Sequence, residues 1–297
     1  MVLERLVPEN FAEKKLWYAF FFGVLYSIIG IIIASLLFPA DPSLVAVAFT
    51  AILLIPTIRK LYSIEERQLK AERKFSFKAL WKDENDFIKF YLLIVLGIFI
   101  VYSISALILP SFQINSLFRE QLELRGAGAV DGKAISIGGM AFSQNLFWSL
   151  IANNVIVLAA CVIMSFLTGD GAIFLLTWNA SLWGTIFGVT ARNAGFVSNQ
   201  HPLILLGLIL LIVLPHAFLE MFAYILGAIS GGLMSSDIEL EPGESKSDQY
   251  QGRFWKAAFW ILIIAVIVVI IGALVETYVL ENATIYADII KQSYMAI

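Results

Sequence analysis

Two ionisable side chains, His216 and Glu220, stand in an apolar stretch of 33 residues, Pro202–Met234, that contains no Lys, Arg or Asp. Four residues make about one helical turn, so the imidazole and the carboxyl share a face. Amides mark the two preceding apolar runs: Asn153 and Asn154 in one, Asn179 in the next. Such groups are expensive in hydrocarbon unless they find a partner or water. Two chemistries are open. The five residues can be interhelical glue, or they can form a polar site for a ligand, a proton or a lipid headgroup. A metal centre is disfavoured. His216 and Glu220 supply only two ligands, and the second histidine and catalytic-glutamate order of zinc proteases are missing. Cys161, the one cysteine, reads as a small core residue. It also excludes an intrachain disulfide. Walker loops, nucleophile elbows, dinucleotide turns and paired aspartates are missing too. The expectation is a protein that is not an enzyme and needs no cofactor.

The elements that must position these groups are membrane spans. The chain has 297 residues, 60% hydrophobic and 14% charged, with a mean hydropathy of +0.84. Several runs reach the roughly 20 apolar residues that cross a bilayer. A net charge of −3 gives no case for nucleic acid. The reading is an all-α, polytopic transmembrane bundle of about seven spans. They run over 16–38, 43–58, 90–109, 146–167, 172–191, 202–234 and 254–280. The whole of 1–297 is one transmembrane domain: two spans in 1–58, a basic cytoplasmic segment in 59–89, a third span and loop in 90–145, spans four to six in 146–235, and an acidic loop, last span and tail in 236–297. An amphipathic piece is expected near Ile114, Leu117, Phe118 and Leu122.

Span six is the anomaly. A straight helix of that length is about 50 Å long, against a core of about 30 Å. Pro215 removes a backbone donor, so the span is expected to be interrupted there. A re-entrant version is the alternative to a full crossing. Beyond it, Gly227, Gly231 and Gly232 leave a smooth face for close helix packing, with internal packing favoured over homo-oligomerisation. By depth at ~1.5 Å per residue, Glu220 and Asn179 should meet, and Asn153 and Asn154 should need another partner.

Orientation follows from Lys and Arg. Fifteen of the 20 fall on one side when the N-terminus is cytoplasmic and all seven spans cross. This is the positive-inside bias. The location is the cell membrane, and lipids are the first partners. The basic 59–89 segment suits anionic headgroups or a cytoplasmic protein partner. Asn282-Ala283-Thr284, in the tail, matches a glycosylation acceptor.

The blocks Asn153–Gly188 and Leu214–Ser235 resemble the stage II sporulation protein M family. The resemblance rests on an Asn pair opening one span, a Gly hairpin (Gly169, Gly171), Asn179 in the next span, and His216-x-x-x-Glu220 leading into a Gly/Ala-rich helix. It implies a helical membrane protein that acts as a non-catalytic scaffold or organiser of partner proteins. A small-molecule, ion or lipid transporter that uses the polar residues of spans four to six is the competing expectation. The charge count generates one direct test. In intact cells, a cysteine introduced as Ser247→Cys should resist an impermeant thiol reagent. Labelling there would put that loop outside.

Overall fold

In hydrocarbon a backbone can satisfy its polar groups only within the segment, so long apolar runs become helices. A computed structural model describes residues 17–71, 77–130, 144–238 and 248–295, with side chains placed over 17–59, 87–125, 144–235 and 255–295. Among them lie ten helices: α1 Trp17–Leu37, α2 Pro42–Ala71, α3 Phe77–Ile108, α4 Ser111–Leu117, α5 Arg119–Val130, α6 Gln144–Thr168, α7 Ala172–Ser198, α8 Pro202–Ile238, α9 Asp248–Asn282 and α10 Thr284–Met295. Seven carry stretches of 18 to 34 residues that are long and apolar enough to cross a membrane. The protein is a multi-pass, all-helical bundle.

Close approach is obtained with small residues. A Cβ added at Gly231 would run into the Val162 carbonyl oxygen and lie 2.9 Å from Ser165 Cβ, and one at Gly227 would lie 2.5 Å from Leu158 Cδ1. These two glycines therefore pack α8 against α6 inside the chain. Gly232 is buried beside them. Gly184 and Gly188 do the same for α7 against α3, near Phe99 O, Tyr102, Ser103 and Ala106. Gly23 and Gly97 meet where α1 crosses α3. The turn between α6 and α7 uses Gly169 at φ +76°, a conformation that side chains disfavour.

Polar contacts fix which loops share a face. Arg59 at the apolar end of α2 pairs with Asp170 of the α6–α7 turn at 2.5 Å. On the other face, Arg119 of α5 meets Asp41 of the α1–α2 turn at 3.5 Å. Arg192, near the end of α7, donates to Leu109 O at 2.9 Å and Ser111 Oγ at 3.0 Å. α8 starts beside this second face. Its Ser235 end reaches the first, where Ser235 Oγ is 4.0 Å from a Cβ built on Gly169. α8 is thus one continuous helix that crosses fully. The expected interruption and the re-entrant alternative are both corrected. Pro215 sits inside the helix, where it costs one hydrogen bond and leaves neighbouring turns intact. Pro56 sits inside α2 in the same way.

The amphipathic piece becomes α4 and α5, tucked into the bundle. Ile114, Phe118 and Gln121 are buried. Ser43 Oγ donates to Gln121 Oε1 at 2.6 Å, and Gln121 Nε2 donates to Ser181 Oγ at 3.2 Å. The tail after span seven is also structured. α10 places Ile289 in a cluster with Ala191, Ala194, Leu205 and Ile209. Arg125 of α5 donates to Ser293, and its guanidinium lies 4.6 Å from the Tyr294 ring centroid. Helices α2 and α3 continue beyond their apolar stretches through 60–71 and 77–86. The basic side chains there, the acidic 236–252 segment and the N-terminal lead-in lie outside the described side chains.

The glycine contacts generate a paired prediction. Gly231→Val should lower unfolding stability in detergent by about 1–3 kcal/mol, the usual cost of overpacking. Gly207→Ala should be neutral or slightly stabilising, because a Cβ there meets nothing within 4 Å. Equal effects in thermal unfolding would refute the close-packing account.

Candidate functional site

Helix α8 carries a ladder of three polar side chains one turn apart: His216, Glu220 and Tyr224. Each is buried, at 5%, 7% and 1% exposure. They face inward because the opposite positions on α8, such as Leu211, Leu214 and Phe218, are exposed apolar residues suited to lipid. Helices α6 and α9 flank the ladder.

From α6 comes Asn154, 3% exposed. Its Oδ1 accepts from Tyr224 OH at 3.0 Å and from Asn153 Nδ2 at 3.2 Å. This leaves Nδ2 to face Glu220, with which the Asn154 side chain interacts. The contact is not closed into a tight bond. Asn154 Nδ2, Glu220 Oε1 and His216 Nδ1 are all buried atoms without a hydrogen-bond partner. From α9 comes Glu276, whose carboxyl is in hydrogen-bonding contact with that of Glu220. Gly272, one turn before Glu276, lies against Glu220: a Cβ there would sit 3.6 Å from Glu220 Cγ, an ordinary van der Waals contact. The antiparallel register then sets Glu276 level with His216. Cys161 of α6 is fully buried and lies within electrostatic range of Tyr224.

The five polar residues expected from sequence are thus divided. Asn154, His216 and Glu220 lie on the facing sides of α6 and α8, and Asn153 is exposed beside them, donating to Asn154 Oδ1. Asn179 does not join them. Its Nδ2 donates to Leu175 O at 2.8 Å within its own helix. The expected Glu220–Asn179 meeting is therefore corrected to Glu220–Asn154. The reason is register. Gly227 sits against Leu158 and Gly231 against Val162, so α6 begins level with about Val213. The first ten or so residues of α8 extend past the end of α6, and depth counted from Pro202 is overstated.

Two members of the site were missed. Glu276 is a lone carboxyl inside an apolar run, the same signal that marked Glu220. Tyr224 lies one turn beyond Glu220 and was legible by the same spacing. Among the described residues no group of three His, Cys, Asp or Glu side chains converges as a metal site. The arrangement offers two carboxyls in contact, an amide donor turned toward them, and a phenol that fixes the amide.

Outside the spans, burial lowers the affinity of Arg125 for its proton, partly offset by Tyr294 and Tyr286. Burial beside Glu276 and Tyr294 pushes the Tyr286 phenol up to about 12. This aromatic–guanidinium layer lies between α5 and α10, over the Glu276 end of the site.

The site's packing generates a contrast. Tyr224→Phe removes an interhelical bond and should cost about 1 kcal/mol. Asn179→Ala should cost less, since its amide bonds only its own helix. Denaturant titrations of both variants in one detergent check the order, and the reverse order would refute it.

No curated protein and no solved structure is significantly similar to this chain. A family model described as stage II sporulation protein M matches residues 86–279, about two thirds of the sequence. The match takes in most of α3, all of α4 to α8 and α9 as far as Val279, Glu276 included, and leaves out α1, α2 and α10. The chain belongs to the stage II sporulation protein M family.

Proposed function

We propose that this protein is a non-catalytic membrane organiser that holds a protein partner at the bilayer surface. The supporting observation is the pair of helices that outrun the membrane. The apolar stretch of α2 ends at Arg59 while the helix runs to Ala71, and α3 begins at Phe77, ten residues before its own apolar stretch. At 1.5 Å per residue these extensions reach about 15–18 Å beyond the spans. They carry most of the nine Lys and Arg of 59–89, on the face shared with the α6–α7 turn. These helical projections are of mixed charge, five Lys and Arg against five Asp and Glu, and on a fixed bundle they suit docking of a partner with complementary charged groups. Family membership supports the same reading.

A second reading, transport of a small molecule or ion, is favoured by a different observation: polar atoms left open around Glu220 inside the spans. Purification from native membranes in mild detergent, followed by mass spectrometry, separates the two. The organiser reading expects a stoichiometric protein partner that is lost when Lys70, Lys78 and Lys82 are changed to Glu. A protein that carries no such partner, with Glu220→Gln abolishing flux in vesicles, would establish transport instead.

A further inference from the structure

The Glu220–Glu276 contact calls for something between the two carboxyls. Two ionised carboxylates at hydrogen-bonding distance in a low dielectric repel strongly, and water is scarce there to screen them. Either a proton or a cation must sit on the pair. The surrounding groups decide between them. Asn154, 3% exposed, turns a donor and not an acceptor toward Glu220, because its Oδ1 is taken by Tyr224 and Asn153. That Nδ2 is unpartnered. A bound cation needs a ring of oxygens, and a donor aimed at the same spot opposes it. A proton shared between carboxyls is compatible with the donor: it forms an O–H···O bond across the pair, and the amide stabilises the remaining negative charge.

We infer that Glu220 and Glu276 form an intramembrane proton-binding site, held by Asn154, whose proton exchanges with the aqueous face on which α10 lies. The inference goes beyond the organiser reading and does not depend on it. Glu276 is six residues from the end of α9, about 9 Å along the helix, so the pair lies nearer that face than the opposite one. Other groups that face it are few. His216 and Tyr224 lie on α8 itself, Cys161 comes from α6, and Tyr286 of α10 is within electrostatic range of Glu276. Tyr286 in turn interacts with Arg125 and Tyr294 at the surface. Arg192 of α7 is engaged at Leu109 and Ser111, and Tyr102 of α3 packs on Phe118. None of the described residues brings a Lys or Arg into contact with the pair to replace the proton.

The test uses the full-length protein in lipid vesicles with dicyclohexylcarbodiimide, an apolar reagent that modifies protonated carboxyls. Mass spectrometry should find the adduct on Glu220 or Glu276, with yield falling at least tenfold as pH rises through the site's titration. Sodium at neutral pH should not protect. No adduct on either residue at any pH, or protection by sodium, would overturn the proposal, and the latter would make the site a cation site. Infrared spectra of the purified protein give an independent readout. The wild type should show a protonated-carboxyl band at neutral pH that is missing from a monodisperse Glu220→Gln/Glu276→Gln variant. Identical spectra would also overturn it. Partner capture by the extensions of α2 and α3 is unaffected in either case.

Discussion

The contact between α6 and α8 is the constraint on which the central structure rests. Gly231 has no room for a side chain against Val162 and Ser165, and Gly227 has little against Leu158. In lipid, apolar surface gains little from burial against another helix, so dispersion contacts at short range must do much of the work. Once these glycines fix the register, Asn154 falls beside Tyr224, and the amide orientation follows from two hydrogen bonds. On the other side of α8, the Ser230–Ala258 bond at 3.0 Å ties α9 to it. The polar cluster is thus a consequence of backbone proximity among three helices.

The unusual length of α8 acquires a use in this arrangement. Its first ten residues pass beyond α6 and pack Leu205, Leu206 and Ile209 with Ala191, Ala194 and Ile289. This layer of α7, α8 and α10 adds a second apolar cluster at one end of the bundle. Arg125 and Tyr294 close it from the α5 side. Pro215 lies near the junction of the two layers, and the lost backbone bond is tolerated where packed neighbours hold both halves of the helix.

Local signals carried much of the architecture. Runs of apolar residues with no water to bond their backbones admit little besides helices, so seven spans were legible from composition and length. Loop pairing was legible in outline from the order of the spans, since successive crossings put alternate loops on one face. Pro215 misled, because a proline's local penalty says nothing about the packing that compensates it. Glu276 was legible as a lone carboxyl in the last span, by the same signal that marked Glu220, but its partner was not.

The sequence by itself determined that this is a multi-pass helical membrane protein of a recognisable family. It marked which polar residues need a partner, because the cost of polar groups in hydrocarbon is a property of each segment alone. Only the tertiary structure decided which of them meet. Asn179 and Glu276 are equally conspicuous in their spans, yet one bonds its own turn and the other reaches Glu220. The difference lies in helix register and face, set by where glycines permit close approach between segments that are distant in the chain.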